Sequence, residues 1–257
     1  MNHRLIFSVL LVMLLAAGGV WRPYSPDTVD LTQRFAQLSW LHPLGTDNLG
    51  RDLFSRLMVA GWRTVTVILS VGAIGFVGGG LLGTMAALFR GSIEALVMRA
   101  AETFIVVPTL IVGLVAASLF GLSPLSAALA LGLANLGSYT LMAHTLTKAT
   151  LGETYIEAAR ALGLGERAMM LRHVLPATLP VILTYAGGQA GGSAVAYASL
   201  SFIGLGADPS QADWGSMLFE YRLFLFDHPG LVLCPGLALA AVAGSLNFVF
   251  DRRTELP

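Results

Sequence analysis

"EAARALGLGERAMMLRHVLP" (157–176) is a polar island in a chain that is otherwise mostly apolar. It carries Glu157, Arg160, Glu166, Arg167, Arg172 and His173, and apolar segments long enough to cross a bilayer flank it on both sides. Glu157 to Leu162 is a run of good helix formers, and Gly163 and Gly165 can stop that helix by adopting positive φ. A second short helix, Glu166 to His173, is expected to run until Pro176 forbids continuation and the next span starts at Ala177. The expected product is a helix–turn–helix lying across the membrane surface and attached rigidly at both ends. Ala158 and Ala159 form a small face that admits a close partner, and Glu157, Arg160 and Arg167 supply a charged rim. This geometry is a protrusion built to sit in another protein's cleft; the competing reading is a solvated amphipathic loop resting on lipid headgroups.

Outward from the insert, composition sets the class. Of 257 residues 55% are hydrophobic and only 12% charged, about half the charge of a soluble domain. Mean hydropathy is +0.73. Six helical spans are expected, at about 5–21, 64–89, 95–120, 124–147, 177–203 and 230–250, within a single all-α membrane domain covering 1–257. The segment 150–176 forms the loop between the fourth and fifth. "MNHRLIFSVLLVMLLAAGGVW" (1–21) reads either as a secretory signal or as a retained first helix, and the spans that follow favour the anchor. With the N-terminus inside, the cytoplasmic side receives a modest excess of Arg and Lys, including Arg160, Arg167 and Arg172 of the insert. Fifteen basic residues balance fifteen acidic ones, which gives no reason to propose nucleic-acid binding. The single cysteine, Cys234, lies in an apolar run and reads as a packing residue.

Several residue patterns bear on packing and transport. Gly75, Gly79 and Gly83, and the pairs Gly187/Gly191 and Gly188/Gly192, recur every fourth position, faces that let helices approach closely within the chain or against a second subunit. Tyr185, Gln189, Ser193 and Tyr197 form a polar stripe on the fifth span, read either as lining a water-filled path or as interhelical hydrogen bonding. Arg99 and Glu102 are spaced to pair on one helix face as an interface ion pair. Gly45 to Arg56 couples Asp47 with Arg51 and Asp52 with Arg56, as expected of a short amphipathic helix at the outer interface. The five histidines form no i,i+3 or i,i+4 pair, so no metal cage is expected. The chain also contains no phosphate-binding loop of the G-x-x-x-x-G-K-[ST] type, no H-E-x-x-H and no intramembrane Ser–Lys pair, so no catalytic residues are assigned. A secondary transporter is the rival class; those show internal repeats, and none is found.

"EAARALG" (157–163), followed nine residues later by "HVLP" (173–176), resembles the EAA loop of ABC-importer permeases, with Glu157, Ala158, Ala159, Gly163, Leu175 and Pro176 matching. His173 stands where many importers place isoleucine and resembles the peptide and nickel branch. "HPLGTDNLGRDLFSRL" (42–57), "LSFIGLGADPSQADWGSML" (200–218) and "PGLAL" (235–239) are similar to signatures of the second permease subunit in that branch. Leu141 and His144 depart from it, standing where relatives often place arginine, and the tail "DRRTELP" (251–257) is shorter than usual.

The resemblance implies the type I importer fold, with 157–176 as the loop that couples the chain to the ATPase through Glu157, Ala158, Ala159, Gly163, His173, Leu175 and Pro176. It implies two separate ATPase subunits that use ATP and Mg, so that this chain binds no cofactor itself. A homologous second permease completes a heterodimeric pore, and an extracytoplasmic solute-binding protein delivers cargo. The location implied is the bacterial inner membrane, multi-pass, with both termini cytoplasmic. Di- or oligopeptides, nickel and metal chelates are all cargoes of this branch.

Overall fold

The structure, a computed structural model, describes residues 21–89, 91–121, 123–204 and 211–250. The first expected span and the tail 251–257 fall outside these residues, except that Trp21 is described. Among the described residues the regular structure is helical, preceded by a largely irregular segment over 21–52 that holds one isolated antiparallel bridge between Thr46 and Asp52.

Among the described residues four helices are long and apolar enough to cross a membrane: α1 (Leu53–Phe89), α4 (Pro124–Leu151), α6 (Glu166–Ile203) and α8 (Pro229–Phe250). Between α1 and α4 lie α2 (Gly91–Val106) and α3 (Thr109–Phe120), bent by 83° against each other. The sequence reading put a single straight span over 95–120. Pro108 breaks it, because its ring disfavours helical geometry at Val107 and it has no N–H to continue the ladder. Two short helices, α5 (Thr154–Ala161) and α7 (Trp214–Tyr221), sit at opposite ends of the bundle.

The caps explain where the long helices begin. The Asp52 carboxylate accepts from the Ser55 amide at 2.7 Å and starts α1 at Leu53, eleven residues before the expected boundary at 64. Ser123 and Ser126 form a reciprocal capping box at the start of α4, with Pro124 at the first helical position.

Glycines set the packing. A Cβ on Gly79 would meet the Tyr139 Cβ at 2.5 Å, and Gly75 and Gly83 are blocked by Tyr139 and by the Thr140 and His144 backbone. The Gly75/Gly79/Gly83 face therefore binds α1 to α4 inside the chain. On α6 the two glycine faces divide. A Cβ on Gly191 would strike the Asn247 side chain of α8 at 2.6 Å and Gly187 is covered by Phe250, whereas Gly188 and Gly192 look into open space.

Candidate functional site

At one end of the bundle α4 stops at Leu151, and the chain turns through Gly152 and Glu153 into α5. The α5 helix ends in a Schellman motif: Leu164 N–H donates to Ala159 O at 3.1 Å and Gly163 N–H to Arg160 O at 3.0 Å. Gly163 has φ +85°, which a residue with a side chain adopts only at a penalty. Leu151, Ile156, Met169 and Val174 are buried together, with Leu88 of α1 and Leu164 and Met170 against them. This cluster nails the insert to the ends of α1, α4 and α6, as a loop lying loosely on headgroups would not be.

The outward surface of the insert is mixed. Glu157, Ala158 and Gly163 are exposed and Ala159 is half-buried. Arg160 Nε donates to Glu166 Oε1 at 3.2 Å, bracing the two arms. His173 and Leu175 are half-buried, the His173 ring lies 6.1 Å from that of Tyr155, and Pro176 is exposed. Sequence reasoning missed Leu162, which is 89% exposed at the tip, and Tyr155.

Pro176 does not end a helix. Leu175 N–H bonds to Met170 O, an i→i−5 π pairing, and the π turn Met170–Val174 widens the helix where the proline lacks its donor. The second arm of the insert and the fifth span are thus one continuous helix, α6, and not the two elements expected.

On α6 the expected polar stripe splits. Ser193 and Tyr197 are buried within the chain, Ser193 Oγ donates to Gln189 O at 3.0 Å, and Tyr197 packs with Val67, Val71, Leu131 and Leu200. Tyr185 and Gln189 are half-buried; Gln189 Nε2 donates to the Tyr185 hydroxyl at 3.1 Å, and Tyr185 meets Tyr139 edge-on at 5.1 Å. The stripe's hydrogen bonds run within α6, while Tyr185 and Tyr197 pack against α4 and α1. On the adjoining face Thr184 and Gly192 are exposed and Gly188 and Ser199 half-buried, with open space where a Cβ would project from Gly188 or Gly192.

Arg99 and Glu102 are exposed and do not pair. The paired acid of α2 is Glu94, whose Oε1 accepts from His144 Nε2 at 2.8 Å and Lys148 Nζ at 2.6 Å. A link between positions 94 and 148, distant in sequence, has no local signature.

At the opposite end, residues 45–52 form a tight loop and not the expected amphipathic helix. Gly45 and Gly50 have φ +76° and +73°, and Asp47 Oδ1 accepts from the amides of Leu49 at 2.8 Å and Arg51 at 2.9 Å, folding the loop around its carboxylate. Arg51 Nε reaches Asp47 Oδ2 at 2.6 Å, as expected. Asp52 caps α1 and contacts His42 Nδ1 at 2.9 Å, so Arg56 turns elsewhere: to Asp47 at 3.8 Å, Glu220 at 3.5 Å and Asp27 at 3.9 Å. Arg51 also hydrogen-bonds Glu220, and the Tyr221 hydroxyl donates to Asp47 Oδ2 at 2.9 Å. Burial works against the Arg51 charge, but Asp47, Tyr221 and Glu220 outweigh it and raise its pKa. Burial pushes the Tyr221 hydroxyl far above its ordinary value, so it stays a donor. This buried network, with Trp214 Nε1 donating to Leu57 O at 3.2 Å, ties the loop before α1 to α7.

Comparison with known proteins agrees with this geometry. Residues 79–255 match the family described as "Binding-protein-dependent transport system inner membrane component". The chain is 30% identical to the "Nickel transport system permease protein NikC" of Escherichia coli (strain K12) over 247 residues, 96% of this chain and 89% of that protein. It is likewise 30% identical to the "Probable D,D-dipeptide transport system permease protein DdpC" of the same strain over 249 residues, 96% of this chain and 84% of that protein. The fold is similar to that in "Crystal structure of an amino acid ABC transporter with histidines", with TM-score 0.55 at 19% identity, covering 77% of this chain and 90% of that one.

Proposed function

Since the chain belongs to the binding-protein-dependent transport inner membrane component family, and within it to the peptide and nickel permeases, we propose that it forms half of the pore of an ATP-driven importer and is moved through its 150–176 insert. The cargo in this reading is a di- or oligopeptide, nickel or a metal chelate, and two relatives are named for D,D-dipeptide and nickel transport. Of two ATPase subunits, one seats the insert on the cytoplasmic side, a homologous permease completes the pore, and an extracytoplasmic binding protein supplies solute. ATP and Mg belong to the ATPases.

The observation that carries this is mechanical. The insert is one folded body whose buried side, Leu151, Ile156, Met169 and Val174, grips three membrane helices, while Glu157, Ala158 and Leu162 face outward. A body held in this way transmits displacement into α4 and α6; a coupling of about 1–3 kcal/mol needs such stiffness. Co-expression with candidate ATPases, permease and binding protein tests the reading. Co-purification and ATP-dependent uptake of peptide or chelated nickel into proteoliposomes are expected; solute moved by the isolated chain without ATPases overturns it.

In this reading solute passes along the Thr184/Gly188/Gly192/Ser199 face of α6, one position round from the buried stripe. In a Cys234→Ala background, cysteines at 193 and 197 are expected to stay unreactive to an aqueous maleimide in every nucleotide state, while those at 184 and 192 react in at least one. Labelling at 193 with silence at 192 returns the path to the stripe.

A further inference from the structure

Glu94 lies in the first turn of α2, and His144 and Lys148 occupy one face of the last turns of α4. Both donate to the same Glu94 oxygen, at 2.8 and 2.6 Å. The position is favourable for each charge: the carboxylate sits at a helix N-terminus and the ammonium at a C-terminus. Glu94 and His144 are largely shielded, with side chains 20% and 11% exposed, and Lys148 is half out at 51%. Lys148 is the chain's sole lysine and precedes by three residues the end of α4, where the insert begins.

α2 packs along α4 and against the end of α1, yet it buries little of its own surface. Ala101 is its only buried residue. It touches α4 where a Cβ on Gly137 would meet Phe104 and Ile105 at 3.1 Å. The two helices approach most closely there, and the bridge joins them two turns nearer the start of α2.

We propose that Glu94, His144 and Lys148 are positioning residues that form a strut, making α2 travel with the end of α4. The strut carries displacement of the insert to the bend at Val107–Pro108 and on to α3, which meets α6 where Gly113 abuts Leu200. This rests on the reading of the insert as the coupling element, but its rigidity is measurable whether or not transport is observed.

The test uses the full complex with Cys234→Ala as background. Spin labels at Leu96 and Thr145, both exposed, report the α2–α4 distance in the nucleotide-free and ATP-bound states. The strut predicts one unchanged distance, and a broadened or shifted one in Glu94→Ala. A distance that changes with ATP in the parent protein, or one indifferent to Glu94→Ala, overturns it even if uptake fails. Where uptake is measurable, Glu94→Ala is expected to lower solute moved per ATP at least fivefold. Glu94→Lys with Lys148→Glu is expected to restore it to within twofold, a rescue that lost packing alone would not give. Joining Glu94→Cys to Lys148→Cys with a short reducible cross-linker is expected to leave uptake within twofold of the parent. Uptake abolished by that link and recovered on reduction overturns the strut, because the contact then has to open.

Discussion

Gly163→Pro is expected to reduce ATP-driven uptake about tenfold or more, the scale of a lost coupling free energy of about 1–3 kcal/mol, while leaving the membrane bundle folded. Proline locks φ near −65°, whereas Gly163 sits at +85°. The substitution also deletes the N–H that closes α5 on Arg160 O. Both effects fall on the turn that orients α5, Leu162 and the Glu166 arm. No neighbour lies where a Cβ would project from Gly163, so nothing in the transmembrane packing is disturbed. Gly163→Ala bears only the left-handed penalty of about 1–2 kcal/mol and should fall between the two. Uptake and ATPase rates of reconstituted complexes, with thermal unfolding of the purified assembly as control, decide the matter. Parent-level uptake by the proline variant at full assembly would remove the insert from the mechanism.

The second large effect lies at the other end. Asp47→Ala is expected to destabilise the protein by about 3–5 kcal/mol, the range for breaking a buried ion pair from one side. Asp47 is fully buried and binds Arg51, the Tyr221 hydroxyl and two backbone amides. Its removal leaves Arg51 and Arg56 buried with only Glu220 and the half-exposed Asp27 to answer them. Asp47→Asn retains an oxygen acceptor for the amides of Leu49 and Arg51 but turns an NH2 donor toward Arg51 Nε and the Tyr221 hydroxyl, so it should recover only part of the loss. Thermal unfolding in detergent, read beside the amount of complex recovered from membranes, measures both. Equal melting of the alanine variant and the parent would mean that the network does not hold the loop to α7.

What could be read in advance followed the range of the forces involved. Helical spans and the insert are local matters, set by runs of apolar residues, by Gly163 and by the small pair Ala158/Ala159, and these were legible. Boundaries set by a single cap were not: Asp52 starts α1 well before the apolar run at 64 does. Proline was read by rule, and the rule held at Pro108 only after a helix had been drawn through it. It failed at Pro176, where a π turn supplies an arrangement that no residue pattern advertises. The choice between two neighbouring faces of α6 needed the position of α8, because Gly187/Gly191 and Gly188/Gly192 have the same spacing and differ only in what lies opposite. The Arg99–Glu102 spacing was suitable but had no shielding, while the link from Glu94 to Lys148 bridges two helices and was invisible to any local pattern.

The Met170–Val174 π turn has a consequence for direction. Five residues in place of four per repeat act as one residue inserted, and one residue is about 100° of rotation at 3.6 residues per turn. The swivel is interposed between the arm that begins at Glu166 and the length of α6 beyond Leu175. It works as a dial: shortening this stretch by a single residue would leave every span intact and aim the elbow at a different compass point.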